Sequence, residues 1–163
     1  MPTHSERRVV PYSPRQIYDL VADVGKYPEF LPWCVGARVR ERGERLIVAD
    51  LAIGFRMFRE RFTSRVTLSP DEPDGPRIDT EYADGPFKRL HSHWIFRPHA
   101  DGCEIDFFVD FEFRSRLLQA TIELLFHEAV RRMVAAFENR AKALYGKPAL
   151  DAARSGAARP LAR

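Results

Sequence analysis

The clearest candidates for chemistry in this sequence of 163 residues are Glu60 and Ser64, in the segment FRERFTSRVTL. Apolar residues alternate along the segment with a period of two, and both residues fall on its apolar side. An unpaired carboxylate is costly there. Glu60 should therefore contact a bound molecule, act as a general acid or base, pair with a cation such as Arg140, or reach water at a strand end. One carboxylate is not a catalytic constellation, and the sequence has no nucleophile elbow, phosphate loop or nucleotide fingerprint. We therefore expect no catalytic residues.

A second candidate is the histidine pair of the segment HSH, His91 and His93. Imidazoles two residues apart on a strand point to the same side and could bind a metal ion. They alternate with Leu90, Ser92 and Trp94, however, so they belong to the outer side of the strand. No third ligand is apparent in the sequence, and one would have to come from elsewhere in the fold. We expect surface histidines and no metal site.

Three arginines, Arg59, Arg61 and Arg65, form a basic stripe on the outer side of the same segment as Glu60. Such a stripe could contact RNA or anionic lipid headgroups. It could also be a solvated face that pairs with acidic side chains of neighbouring strands, and this is what we expect. The acidic candidates are Asp50, Asp79 and Glu81.

The composition indicates one globular domain. The chain is 45% hydrophobic and 30% charged, and its length suffices for a substantial core. No apolar run approaches the roughly 18 residues of a membrane-spanning helix, and the first ten residues lack the apolar core of a signal peptide. We therefore expect a cytoplasmic protein. The two cysteines, Cys34 and Cys103, lack a metal-type spacing and should be free thiols.

The basic character of the chain comes from its C-terminus. The sequence pI is near 9.1, but residues 147–163 (KPALDAARSGAARPLAR) hold a net charge of +3, which is the whole formal charge of the chain. This stretch has hardly any large apolar residues and is expected to be a disordered basic tail. Residues 1–146 then form a neutral domain, which argues against a DNA-binding face.

Hydrophobic periodicity predicts the order of the elements. A first strand at 5–11 is followed by a capping box, Ser13 with Gln16, that starts a helix. Segments of period two, separated by turn residues, predict six further strands. A long helix at 115–145 is predicted by an apolar stripe of Ile122, Phe126, Ala129, Val130, Met133, Phe137 and Leu144. A sheet and a helix that each have one apolar side cover each other best in an α+β helix-grip fold. We predict a seven-stranded curved antiparallel sheet around the C-terminal helix, with two short helices after strand 1. The six strands are predicted at 36–42, 46–55, 57–68, 77–82, 88–97 and 103–113.

The segment KYPEFLPWC, residues 26–34, combines two prolines with four large apolar side chains. The prolines exclude a long helix or a central strand, so a short helical turn and a loop must carry these side chains, although loops are normally polar. We name residues 26–34 the aromatic loop. In a helix-grip fold it would lie at the mouth of the groove between sheet and long helix, as a hydrophobic gate. Its predicted gate residues are Tyr27, Phe30, Leu31 and Trp33.

Several blocks of the sequence match a family pattern. The segments YSPRQIYDLVADVGKYPEFLPWC (12–34), RERFTSRVTL (59–68) and DGPFKRLHSHWIFRP (84–98), followed by the final helix, resemble the START-like polyketide cyclase/dehydrase superfamily. Within it they are most similar to the coenzyme Q-binding START-domain proteins and the ribosome-association toxin A family. The resemblance covers residues 3–146. It implies the helix-grip fold and a hydrophobic cavity between sheet and helix, which in quinone-binding members holds a polyprenylated benzoquinone.

The resemblance also changes what we expect of the inward aromatic residues. Aromatic residues at core spacing usually form core, and periodicity alone predicts no more than that. With the resemblance, the set is expected to line a ligand cavity, with Glu60 and Ser64 as polar contacts to the ligand head. The predicted walls are Phe55, Phe58, Phe62, Trp94, Phe96, Phe107 and Phe111 from strands, and Phe126, Val130, Met133 and Phe137 from the helix.

Three functions follow as hypotheses. The first is non-catalytic binding of ubiquinone or a related prenylquinone, without another cofactor. The protein would be a monomeric carrier or chaperone that contacts the inner membrane transiently and supports respiratory electron transport. The second is inhibition of ribosome association through binding to the large ribosomal subunit, with the arginine stripe and the tail as contacts. The third is a cyclase or dehydratase that uses Glu60. We rank them in this order.

Overall fold

The structure is a computed structural model that describes residues 3–55 and 58–146. Within these ranges the structure does not describe the side chains of residues 55, 58, 83, 84, 125 and 126. The predicted tail, residues 147–163, also falls outside the described residues. The strands are β1 (Thr3–Val10), β2 (Cys34–Arg42), β3 (Leu46–Phe55), β4 (Phe58–Ser69), β5 (Arg77–Asp84), β6 (Phe87–His99) and β7 (Gly102–Phe113). The helices are α1 (Pro14–Ala22) and α2 (Arg116–Tyr145), and a 3-10 segment spans Val24–Glu29.

The seven strands form one antiparallel sheet in the order β1-β7-β6-β5-β4-β3-β2. Only β1 departs from the order of the chain, because it pairs with β7 at the sheet edge. Burial alternates along the strands, most regularly in β7, where every second residue from Cys103 to Phe111 is buried. The sheet therefore has one apolar inner face and one polar outer face. This confirms the predicted α+β helix-grip fold.

Helix α1 begins where the sequence predicts. The Ser13 hydroxyl accepts a hydrogen bond from the Gln16 backbone N–H at 3.1 Å, and the Gln16 side chain accepts one from the Ser13 N–H at 2.9 Å. This reciprocal capping box satisfies two backbone donors at the helix start. The inner side of α1 is buried against the sheet and carries Ile17, Tyr18, Leu20 and Val21.

Helix α2 lies against the inner face of the sheet and is capped by Ser115, whose hydroxyl accepts a hydrogen bond from the Leu118 N–H at 3.1 Å. Its inner side is continuous from Leu118 to Ala141, which is fully buried. One predicted member of the stripe is wrong: Leu144 is 53% exposed, because it lies beyond the part of the helix that the sheet covers. No described helix is long and apolar enough to cross a membrane.

The described core is continuous from α1 across the sheet to α2. Cys103 is fully buried within it and Cys34 is half-buried, and both are free thiols, as predicted. Burial raises the pKa of the Cys103 thiol to about 12, and the charge of Glu104 adds to this effect. The thiol is therefore protonated and unreactive in the folded protein.

Candidate functional site

A cavity of about 330 Å³ lies between the inner face of the sheet, α2 and the aromatic loop. No charged side chain among the described residues lines it. Its size and apolar walls are typical of small-molecule binding sites. The lining residues are Val24, Tyr27, Leu31, Trp33, Leu51, Ile53, Phe62, Ser64, Val66, Thr80, Phe87, Leu90, Ser92, Trp94, Phe107, Val109, Phe111, Phe113, Ile122, Ala129, Val130, Met133 and Phe137.

Three hydroxyl groups interrupt the apolar floor of the cavity. Thr80 of β5 and Ser92 of β6 lie directly opposite each other. On its other side Thr80 pairs with Val66 of β4, and Ser64 is the preceding inward residue of that strand. Ser64 is 1% exposed and Ser92 is 8% exposed. None of the three hydroxyls has a hydrogen-bond partner among the described residues. The three hydroxyls face the cavity and can donate hydrogen bonds to an occupant, so this group favours an occupant with acceptor atoms.

The aromatic loop closes one end of the cavity. Tyr27 donates a hydrogen bond from its hydroxyl to the Val21 carbonyl, and burial raises its pKa well above the ordinary range. Its ring meets the Phe137 ring of α2 edge-on, at a centroid distance of 5.4 Å. Leu31 and Trp33 continue the wall from the loop. Tyr27 thus fixes the loop to α1 and α2, while Leu31 and Trp33 face the cavity.

An ion pair joins the aromatic loop to α2. Arg140 Nη2 donates to Glu29 Oε1 at 2.8 Å, and this hydrogen bond holds the pKa of Glu29 below its usual range. The Arg140 guanidinium also lies over the Phe30 ring, 5.1 Å from its centroid. Arg140 Nε is buried and has no hydrogen-bond partner among the described residues. We call the Glu29–Arg140 ion pair the latch.

Most predicted site residues meet at the cavity, but three of the described ones, Phe30, Glu60 and Phe96, do not line it. Phe96 is fully buried behind Trp94, because α1 covers that end of β6 and places Tyr18 edge-on to it at 6.1 Å. Phe30 packs on Phe137 at 5.2 Å, outside the wall. The side chains of Phe55, Phe58 and Phe126 lie outside the description. The predicted residues that line the cavity are Tyr27, Leu31, Trp33, Phe62, Ser64, Trp94, Phe107, Phe111, Val130, Met133 and Phe137.

Glu60 lies in a separate, smaller cavity of about 40 Å³. This cavity shares walls such as Phe62 and Phe87 with the main one, but it extends towards Leu118 at the start of α2. The partner suggested by the sequence, Arg140, binds Glu29 instead. Glu60 is half-buried and has no ion-pair partner among the described side chains. It is therefore not one of the polar groups that face the main cavity.

The sequence interpretation missed several wall residues. Thr80 and Ser92 are the most informative, because they supply two of the three hydroxyls. Alternation along β6 already places Ser92 inward, between Leu90 and Trp94, but it does not show that the hydroxyl faces a cavity. Thr80 can be assigned to the wall only from its pairing with Ser92, and the sequence of one strand does not show how it pairs with the next.

The outer face of the sheet differs from the prediction in its charges. Arg59, Arg61 and Arg65 are exposed, but they form no ion pair with a described side chain. The expected acidic partners are engaged elsewhere or out of reach: Asp50 pairs with Arg40, Asp79 pairs with Arg77, and Glu81 lies opposite Arg65 without contacting it. The predicted pairing is therefore wrong. The arginine stripe is a basic surface, while His91 and His93 lie half-buried on the outer side of β6, beside Asp79.

Comparison with known families agrees with this geometry. The family model described as "Polyketide cyclase / dehydrase and lipid transport" matches residues 10–138. The chain belongs to this family. The description covers both catalysis and lipid transport, so membership alone does not decide between an enzyme and a binding protein. It agrees with a fold built around a hydrophobic ligand.

The relatives with established names include ribosome association toxins and a coenzyme Q-binding protein. The chain is 40% identical over 148 residues to the Ribosome association toxin RatA of Pseudomonas aeruginosa, covering 90% of this chain and 100% of that protein. It is 36% identical over 149 residues to the mitochondrial Coenzyme Q-binding protein COQ10 homolog B of Xenopus laevis, covering 88% of this chain and 59% of that protein. A START superfamily protein from Mycobacterium smegmatis has the same fold, with a TM-score of 0.71 at 18% identity over 87% of this chain and 98% of that one.

Proposed function

We propose that this protein binds a prenylquinone, such as ubiquinone, in the main cavity without transforming it. As a carrier or chaperone, it would support respiratory electron transport through transient contact with the membrane surface. The observation that carries the proposal is the group of three unpartnered hydroxyls, Ser64, Thr80 and Ser92, on the floor of an otherwise apolar cavity.

The chemistry of a quinone matches these groups. Its ring is flat and carries carbonyl oxygens that only accept hydrogen bonds, so hydroxyl donors satisfy it without a charge. Trp94 and Phe107 offer aromatic surfaces beside the hydroxyls, with their own rings 4.4 Å apart. An isoprenoid chain gains about 0.8 kcal/mol for each CH₂ that it buries, and the remaining apolar wall suits such a chain.

The size of the cavity limits how the ligand can lie. About 330 Å³ is at the small end of the range for ligand sites. It suits the ring and the first part of the chain. A longer chain would have to leave past the aromatic loop, where Leu31 and Trp33 provide an apolar passage. The similarity to a protein named for coenzyme Q binding supports this choice of ligand.

The test is to identify what the protein carries from cells. Untagged protein is purified without detergent, extracted with organic solvent and analysed by mass spectrometry, with Ala129→Phe as a variant whose larger side chain enters the cavity. We expect a prenylquinone in the parent extract and a much smaller amount from the variant. A parent protein that carries no prenylquinone, and binds none when it is added, would contradict the proposal.

A second function, association with the large ribosomal subunit, is favoured by a different observation. The arginine stripe is exposed and without described ion-pair partners on the outer face, and relatives carry the name ribosome association toxin. Ribosomal RNA is a polyanion that such a stripe could contact, and the affinity should then fall with salt. The two functions are compatible, because the cavity and the stripe lie on opposite faces of the sheet.

Sedimentation through sucrose gradients tests this second function. The parent should migrate with large subunits at low salt, and the variant with Arg59, Arg61 and Arg65 changed to glutamine should not. A matched control changes three cations of α2 to glutamine, namely Arg131, Arg132 and Lys142, which are exposed. Migration that is absent in the parent, or equal in both variants, would exclude the stripe as the contact.

The third hypothesis, a cyclase or dehydratase that uses Glu60, has weaker support. Glu60 lies outside the main cavity and has no second titratable group beside it in the small one. General acid–base catalysis requires a group within hydrogen-bond reach of the substrate. The enzyme hypothesis predicts that Glu60→Gln abolishes turnover of a polyketide-like substrate while the protein remains folded.

A further inference from the structure

The outer face of the sheet carries a compact group of side chains that are suited to binding a metal ion. His91 and His93 project from β6, and Asp79 projects from β5 directly opposite His93. One ligand atom from each of the three side chains lies within 4.8 Å of the other two. The sequence alone showed two histidines but no third ligand. The pairing of β5 with β6 brings Asp79 beside them as that third ligand.

We propose that Asp79, His91 and His93 form a site for a zinc-type transition-metal ion. Two imidazole nitrogens and one carboxylate oxygen are donors that Zn²⁺ accepts readily, and three protein ligands leave one coordination position open. Both described cavities lie on the inner side of the sheet. The open position therefore faces solvent and takes a water molecule. The ion would connect β5 to β6 through their side chains.

Two contacts hold the ligands in place before an ion arrives. The His93 ring stacks on Phe108 of β7, with the ring centroids 5.5 Å apart and the planes inclined by 27°. Arg77 donates two hydrogen bonds to Asp79, from Nε to Oδ2 at 2.8 Å and from Nη2 to Oδ1 at 3.0 Å. A carboxylate has about four lone-pair positions, so two remain for an ion. Hydrogen-bonded carboxylates are usual among metal ligands.

The charges around the site partly compensate one another. Arg77 brings a positive charge that opposes a cation, but Asp79 neutralises it through the two hydrogen bonds. Glu81 lies opposite His91 on β5, and Asp110 lies opposite it on β7. Arg89 donates two hydrogen bonds to Asp110 and compensates its charge, so Glu81 is the carboxylate that adds negative charge beside His91. The site is also separate from the proposed quinone cavity, because none of its three residues lines that cavity.

Another histidine pair must be distinguished from this site in any experiment. His4 of β1 and His127 of α2 share a contact between their Nδ1 atoms at 2.9 Å, and His4 Nε2 lies 3.1 Å from Glu6. These ring nitrogens are engaged with one another and with a carboxylate, which makes the pair a poorer ligand set. It could nevertheless take up zinc at high concentration, so it serves as an internal control.

The test is a zinc titration of the untagged, EDTA-treated full chain against a chromophoric chelator. We expect one Zn²⁺ per chain. Affinity should fall at least about tenfold in His91→Gln, His93→Gln and Asp79→Asn, because each change removes a ligand. His127→Gln and His99→Gln, a histidine at the far end of β6, should bind zinc like the parent.

Imidazole resonances of the parent protein provide a measurement that does not depend on the folding of a variant. Added Zn²⁺ should shift the ring signals of His91 and His93 at one equivalent and leave those of His4, His99 and His127 unchanged. The proposal is overturned if the parent takes up no stoichiometric zinc. It is also overturned if His93→Gln binds zinc as tightly as the parent, or if His127→Gln is the change that removes binding.

Discussion

At the scale of single residues, the feature that distinguishes the cavity from packed core is its three hydroxyls. Ser64 and Ser92 are almost fully buried, yet they have no hydrogen-bond partner among the described residues. Buried polar groups in folded proteins are nearly always satisfied. The three hydroxyls on neighbouring strands face the cavity instead of a protein partner, so an occupant of the cavity could accept hydrogen bonds from them.

Replacing these hydroxyls should separate binding from folding. We expect Ser64→Ala and Ser92→Ala each to weaken quinone binding about fivefold, which corresponds to one hydrogen bond of about 1 kcal/mol. The free energy of unfolding should change little, because neither hydroxyl makes a hydrogen bond with a described residue. Thr67→Ala, on the exposed outer side of β4, is the matched control. Equal affinity in all three variants would show that the hydroxyls do not contact the ligand.

A second prediction at this scale concerns Cys103, whose buried thiol should make the stability of the protein depend on pH. The folded protein keeps the thiol proton up to a pKa of about 12, while an unperturbed thiol loses it near 9.0. Between these values the unfolded chain binds fewer protons, so stability should fall as pH rises, by up to about 1.36 kcal/mol per pH unit from this group. Urea unfolding between pH 8 and 10.5 should therefore give a steeper decline for the parent than for Cys103→Ala. Parallel curves would contradict the assignment.

At the scale of elements, the sequence predicts the strands and helices well because each one repeats a simple pattern. Alternation identifies β7, and the capping box identifies α1. The sequence could not show whether an inward residue packs against a helix or faces the cavity. Phe96 and Trp94 have equivalent positions in the alternation of β6, yet α1 covers one and the cavity receives the other. The cavity depends on how the long helix stands off the sheet, and the register of β5 with β6 determines which hydroxyls meet.

The aromatic loop provides a prediction about ligand retention. Trp33 lines the cavity, whereas Val35 is 56% exposed two residues further on. Trp33→Ala should lower quinone affinity at least about tenfold, because the ligand loses an apolar wall. It should change the free energy of unfolding less, since the side chain is only half-buried. Val35→Ala should affect neither property. If Trp33→Ala unfolds the domain, the loop plugs the core and is not a gate.

The Glu29–Arg140 latch should affect the rate at which the ligand is released. Glu29→Gln removes the charge that Arg140 contacts across the gap between loop and helix. An exposed ion pair stabilises only weakly, so the rate of quinone release should rise by no more than about fivefold. Stopped-flow displacement measures this rate. Glu44→Gln, an exposed charge outside the loop that has no ion-pair partner among the described side chains, is the control, and equal rates in both variants would show that the latch does not hold the gate.

At the scale of the whole molecule, one sheet separates two surfaces with different chemistry. The inner face, α2 and the aromatic loop enclose an apolar cavity with hydroxyl donors. The outer face carries charge, including the arginine stripe and the cluster of Asp79, His91 and His93. The sequence interpretation anticipated this division from the alternation of the strands. It could not anticipate the pairing of the charges, which depends on side-chain positions across three or more strands.

The most direct test of quinone binding uses the two tryptophans, Trp33 and Trp94, because both line the cavity. A short-chain ubiquinone is titrated into ligand-free protein while the intrinsic fluorescence is recorded, for the parent, for Ala129→Phe inside the cavity and for Ala120→Phe on the exposed side of α2. We predict saturable quenching at one quinone per chain in the parent and in Ala120→Phe, and at least about tenfold weaker binding in Ala129→Phe. Quenching that does not saturate, or that is equal in all three proteins, would contradict a quinone site in this cavity.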